Sequence, residues 1–207
     1  MPRKAQSGSK DTKQLLIDAA ANEFAVKDYD HASLRQICSR AGVTTGALYF
    51  FFENKEDLMR SAIEALTTSV LSLVKEWYLP FISRGSIPAE EKHELDVGVA
   101  NAIIDIYNEY RLQLQITLRN REHPAVREFI DSLTDLVELF VGRVVLGRDI
   151  EPSGDDQTSG LRWLAHMQID GVLTIIECDL PRELAVEQIL SLMTFLRGGV
   201  AAVRDTL

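Results

Sequence analysis

The stretch SLRQICSRAGVTTGALYFFF, residues 33–52, followed by NKEDL at 54–58, decides the architecture. Ser33 and Gln36 have capping-box spacing, in which the serine hydroxyl takes the Gln36 amide and the Gln36 side chain reaches back to the Ser33 amide. Leu34, Ile37, Cys38 and Ala41 recur at helical period, and Gly42 supplies the left-handed residue that closes a two-turn helix. Val43 fills the turn. Thr44 can cap a third short helix whose inward residues are Leu48, Phe51 and Phe52. Asn54 can cap a fourth, with Glu56 and Asp57 beside the positive end of its dipole and a stripe Leu58, Ala62, Leu66, Val70, Val74, Trp77 running to Pro80. Upstream, Asp11 and Gln14 again have capping-box spacing. Leu16, Ala19, Ala20 and Phe24 extend a first helix from about Thr12 to Lys27, ended by Asp28. Two short helices joined by a glycine-containing turn and braced by a first helix describe a helix-turn-helix unit, here over about residues 33–52.

These residues closely resemble the DNA-binding domain of TetR-type bacterial transcriptional regulators over about residues 12–60: an AGV turn, a TxGALYxxF recognition helix and an NKEDL opening of helix four stand at the family's spacings. The resemblance implies a DNA interface of Ser33, Arg35, Thr44, Thr45, Gly46, Tyr49, Phe50 and Lys55. Chemically, the threonine hydroxyls suit bases or phosphates and Gly46 permits close backbone approach; Thr44 caps its helix, reads DNA, or both. Tyr49 resembles the family's phosphate-contacting tyrosine. Lys55 is placed to grip the backbone at the start of helix four. Phe50 and Phe51 depart from the pattern, since relatives often carry His or Tyr there and phenylalanine offers only apolar contact. Asp28 stands where the family usually has glycine. No Arg or Lys lies on the recognition helix, so bidentate guanine reading is not expected there.

Outward from this stretch, the chain has 207 residues, 46% of them hydrophobic, enough for one large or two small domains with a core. Its net charge of −9 argues against a nucleic-acid partner until it is divided. Residues 1–60 hold nine basic and eight acidic residues, +1, including the leading Arg3, Lys4, Lys10 and Lys13. The remainder holds thirteen against twenty-three, −10. A near-neutral head with a basic arm precedes an acidic body. The absence of a long apolar run or a signal-peptide core leads us to expect a cytoplasmic protein with no membrane partner. Cys38 and Cys178 are expected to be small buried apolar residues.

The body reads as helical throughout, giving an all-α fold of about nine helices: an N-terminal three-helix helix-turn-helix domain (1–60) and a C-terminal helical bundle (61–207) for sensing and dimerisation. Val97, Ala100, Ile103, Ile104 and Tyr107 mark a fifth helix and Leu112 to Leu118 a sixth. A seventh starts at Pro124 and carries Phe129, Leu133, Leu136, Val137, Phe140 and Val144, and residues 149–160 read as a mobile polar loop. Helices from Leu161 to Glu177 and from about Leu180 to Val203 follow. In this last pair Leu164, Gly171, Ile175, Leu192, Phe195 and Gly199 are the expected interface of a homodimer. By the same resemblance, the C-terminal domain encloses a small-molecule pocket. Its candidate lining is Trp77, Phe81, Tyr107, Tyr110 and Gln113, together with Arg119, Phe129, Trp163, His166 and Met167.

Nothing in the chain suggests an enzyme. The histidines at 31, 93, 123 and 166 fall on separate segments, and there is no phosphate loop, dinucleotide fingerprint, HExxH or GxSxG, so no catalytic residue, metal or cofactor is expected. The expected function is a homodimeric, ligand-responsive regulator, a repressor, bound to a roughly palindromic double-stranded operator and released by a small-molecule effector. The alternative is a ligand- or protein-binding helical module that no longer reads specific DNA.

Overall fold

The computed structural model describes residues 4–88, 90–154 and 159–203, and the side chains of 11–88, 90–154, 159–200 and 202. The fold is all-α. Among the described residues there are nine α-helices: α1 (Lys4–Val26), α2 (Leu34–Ala41), α3 (Thr45–Phe51), α4 (Lys55–Arg84), α5 (Lys92–Glu109), α6 (Arg111–Arg119), α7 (Pro124–Phe140), α8 (Gly160–Glu177) and α9 (Arg182–Val203). A π-helical turn, Val141–Val145, follows α7 directly.

Two compact units are present. The first comprises residues up to Thr68 and the segment Tyr110–Glu128; the second comprises Ser69–Glu109 and Phe129 onward. Segment 110–128, which the sequence placed beyond residue 61 with the body, is therefore part of the first unit, where α6 packs on α1. Leu16, Ala20, Phe24, Ile37, Leu48, Phe52, Leu58, Met59 and Ile116 are fully buried in this unit. Each large apolar side chain so buried contributes about 1.5–3 kcal/mol relative to exposure. In the second unit α9 packs on α5 and α8, and the core holds Val99, Ala100, Ile104, Ala165 and Ile189 beside Tyr78, which stacks on Phe140 at 4.1 Å between centroids.

Several expectations need correction. α1 starts at Lys4, so Asp11 lies within it and caps nothing. The Ser33 hydroxyl does accept the Gln36 amide, at 3.4 Å, but Gln36 does not return to Ser33: the Ser33 amide donates to Glu23 of α1 (3.3 Å), and Gln36 accepts from Lys27 (2.5 Å). A buried carboxylate from another helix outcompetes the local partner. Burial raises the Glu23 pKa, but the Lys27 ammonium and the Ser33 amide more than reverse it, and the net shift is downward. α4 continues through Pro80 to Arg84; Pro80 is exposed, where water can serve the carbonyl left unbonded by its missing N–H. Cys38 is buried as expected, whereas Cys178 is exposed just after α8. Of the expected loop 149–160, residues 155–158 lie outside the described residues; on either side, the Ser153 amide (3.1 Å) and the Ser159 hydroxyl (3.2 Å) donate to Glu138. Glu138 belongs to a buried ionic knot around Arg162, whose guanidinium also meets Asp131 at 3.0 Å and Asp135 at 2.7 Å.

Candidate nucleic-acid interface

The turn between α2 and α3 is built from backbone chemistry. Gly42 adopts φ +70°, its amide donates to Ser39 (3.3 Å), and the Val43 amide donates to Cys38 (3.0 Å), the paired bonds that close a helix on a left-handed residue. Thr44, extended at φ −84° and ψ 159°, begins α3 with its hydroxyl accepting the Ala47 amide at 3.2 Å. The Thr44 side chain is thus a cap, and its exposed position leaves its methyl and second lone pair facing solvent.

α3 is buried on one side only. Leu48 is fully buried, as is Phe52 just past its end, while Ala47 and Phe51 are half-buried. Thr45, Gly46, Tyr49 and Phe50 share the opposite, exposed face, with Tyr49 57% and Phe50 79% exposed. The i, i+1, i+4, i+5 spacing makes one stripe of hydroxyl, bare backbone, phenol and phenyl with no charged side chain. Gly46 has no positive φ, and a Cβ there would meet only the Thr44 hydroxyl, at 3.8 Å. Nothing inside the chain requires glycine at this exposed helical position.

Lys55, the first residue of α4, is held by its surroundings. Its ammonium lies 4.6 Å over the Tyr29 ring and 3.5 Å from the Asp30 carbonyl oxygen. Burial lowers its pKa, opposed by Asp30, Asp28 and Glu23. Tyr29 is itself fixed: its amide donates to Asn120 (2.6 Å) and its ring meets His123 at 4.2 Å. The contribution of segment 110–128 to placing Lys55 was invisible in the sequence, because it depends on pairs about ninety residues apart. Asn54, as expected, caps α4 by accepting the Asp57 amide at 2.9 Å. Arg35 and Arg40 are exposed on α2, and Ser33 is half-buried at its cap. Arg3 and the side chains of Lys4 and Lys10 lie outside the described residues; Lys13 is 5.6 Å from the Phe52 ring centroid.

Residues 16–62 match the model of the bacterial regulatory proteins, tetR family. The first unit carries a tetR-family domain. Sixty-three residues are 38% identical to the uncharacterized HTH-type transcriptional regulator TtgW of Pseudomonas putida, covering 30% of this chain and 47% of that relative, so the alignment spans about half of TtgW. A longer alignment, 27% identical and covering 68% of each chain, is with the HTH-type transcriptional repressor BepR of Brucella suis biovar 1. Over 92% of this chain and 97% of the other, the fold matches a crystal structure from Syntrophomonas wolfei assigned to the TetR family, with a TM-score of 0.65 at 17% identity. In the tetR-family domain here, Thr44, Thr45, Gly46, Tyr49 and Phe50 come together on one exposed face, with Lys55 at the start of the next helix.

The second unit holds a small pocket whose lining shares none of the ten residues picked from the sequence. Phe140, Val141, Val145, Leu164, Met193, Leu196 and Val200 form its apolar wall, and Tyr78, Asp96, Gln168 and Arg197 its polar one. Arg197 and Asp96 are joined by two hydrogen bonds, 2.9 and 2.5 Å. The Tyr78 hydroxyl accepts from Gln168 at 3.5 Å, and burial pushes its pKa up to about 12, so it is a neutral donor at physiological pH. Of the residues picked, Trp77 lies against Gly98, Phe81 is a core residue beneath Arg84, and Tyr107 donates to Asp179 at 3.0 Å. Tyr110, Gln113 and Arg119 belong to the first unit. Phe129, His166 and Met167 are half-buried or exposed at the margin of the second unit's core, and Trp163 is 61% exposed. No periodic signal points to the pocket, since an aspartate and an arginine 101 positions apart pair only in the fold. The π turn that supplies Val141 and Val145 is likewise unmarked in the sequence.

Of the expected dimer contacts, Leu164 is buried in the pocket wall, and Gly171 receives Leu192 of the same chain, whose methyl carbon would lie 2.7 Å from an added Cβ. Ile175 is half-buried, Phe195 is 72% exposed and Gly199 is exposed. No described helix is long and apolar enough to cross a membrane.

Proposed function

We propose that the protein is a cytoplasmic, DNA-binding transcriptional regulator, not an enzyme, that acts as a homodimer on a roughly palindromic operator. The observation that carries this reading is the exposed, uncharged face of α3 beginning at a capped N-terminus, within a tetR-family domain. A capped recognition helix has oriented amides for phosphate and short side chains for base edges. Thr45, Gly46, Tyr49 and Phe50 face the groove, with the Thr44 methyl at the rim. Lys55, Arg35 and the leading basic residues contact the backbone, as does Ser33 through its remaining hydroxyl capacity.

The second unit is the sensing and dimerising part. Its effector is a small molecule seated against Phe140, Met193 and Leu196, with Tyr78, Gln168 and the Arg197–Asp96 pair at its polar end. Repression is the sense of control supported by the printed name of BepR. Effector release from DNA requires tighter binding to the form that fails the operator, by a typical coupling of about 1–3 kcal/mol. The dimer forms through exposed apolar residues of α8 and α9, Phe195 among them.

Electrophoretic mobility shifts with the full chain and the DNA upstream of its own coding sequence test the proposal. A sequence-specific complex, competed by the same duplex and not by a scrambled one, is the expected outcome. A folded dimer giving no specific complex at low salt would overturn the regulator reading and leave a helical binding module in its place.

A further inference from the structure

The geometry points to Phe50 as a specificity-determining residue that reads the 5-methyl group of a thymine in each operator half-site. The inference rests on the regulator reading above and adds what that reading leaves open, the chemistry of base selection. Phe50 is 79% exposed, and its ring meets the edge of half-buried Phe51, at 5.0 Å and 89°. That contact holds the phenyl ring on the same stripe as Thr45, Gly46 and Tyr49, none of which carries charge. A phenyl ring has no hydrogen-bond donor or acceptor for a phosphate or a base edge, and covering a phosphate with it would strip water from an anion without replacing it. In the major groove the one apolar group a base presents is the methyl of thymine. Gly46, one turn back on the same face, adds no side chain to hold the helix away from the groove, so the ring can reach the floor. The helix therefore selects by methyl contact and hydroxyl hydrogen bonds, and favours A·T pairs where Phe50 lies.

The operator is recovered by selection from random duplexes with the full chain. Each thymine of one half-site is then replaced in turn by deoxyuridine, which removes the methyl and preserves every hydrogen-bonding group. At one thymine the wild-type affinity should fall about fourfold, the equivalent of one buried methyl. In Phe50→Ala the same replacement should have no effect, while penalties at other thymines persist; thermal unfolding should be unchanged, because the ring is exposed. Where Phe50→Ala binds too weakly to scan, Phe50→Leu carries the comparison, with a penalty below the wild-type one expected. Indifference of the wild type to deoxyuridine at every thymine would overturn the inference. So would an undiminished penalty in the Phe50 variants, which would assign the methyl to Thr44 or Thr45. Selection that yields no preferred sequence overturns the regulator reading itself, a result distinct from either.

Discussion

At Gly46 the needs of folding and of recognition separate. A glycine inside a helix costs up to about 1 kcal/mol relative to alanine, and here neither a positive φ nor a crowded Cβ position explains it. Gly46→Ala should therefore raise the urea midpoint slightly while weakening operator binding by roughly tenfold or more, as a methyl is pushed against the DNA. Equal binding by the variant would remove the main reason for placing this face in the groove. Lys55 makes the complementary case for the phosphate backbone. Lys55→Gln should lower affinity for all sequences alike and reduce the slope of log K against log salt by about 1. A change in sequence preference would instead make Lys55 a base contact. Both residues were legible because they sit in a local pattern of caps and turns. What holds Lys55 was not, since Tyr29, Asn120 and His123 meet it only through tertiary packing.

At the scale of elements, helix ends carry most of the information that local sequence can hold. Thr44 and Asn54 cap as their spacing predicts, and Gly42 closes α2, because each needs only neighbours three to five residues away. Gln36 fails as a partner for Ser33 because Glu23 comes from another helix, and the passage of α4 through Pro80 depends on which side of the helix faces water. The start of α7 shows a further cap with a pH consequence. His123 Nδ1 accepts the Ala125 amide at 3.2 Å, which requires that nitrogen to be unprotonated. Burial lowers the pKa of His123 below 6.5, with Glu56 and Asp30 opposing the shift and Arg60 and Lys55 adding to it. On acidification the unfolded chain takes up the proton first. This stabilisation is complete above about pH 6.5 and is lost as the pH falls through that value towards the folded-state one. Urea midpoints measured across this range should decline with acidification in the wild type and flatten in His123→Asn, which keeps an acceptor for the Ala125 amide. An equally steep decline in the variant would assign the effect to other groups.

For the whole molecule, the division of charge and the exposure of apolar side chains bear on the same question, how two recognition helices are delivered to one operator. An acidic body of charge −10 behind a head of +1 repels DNA except where the head leads, which favours correct orientation over bulk affinity. One head with an uncharged recognition face binds weakly, and joining two raises affinity through effective concentration by roughly 10²–10⁴ without a new contact. Phe195, 72% exposed on α9, is a large apolar residue that the fold of the single chain does not cover. Phe195→Glu should therefore halve the mass seen by sedimentation at micromolar concentration, leave helicity intact, and cost operator affinity on the avidity scale. Val26→Glu, an equally drastic change at an exposed apolar residue of α1, should leave the mass unchanged. Dimers that persist in Phe195→Glu would move the interface elsewhere. Monomers that keep full operator affinity would show that avidity is not what makes so neutral a reading face sufficient.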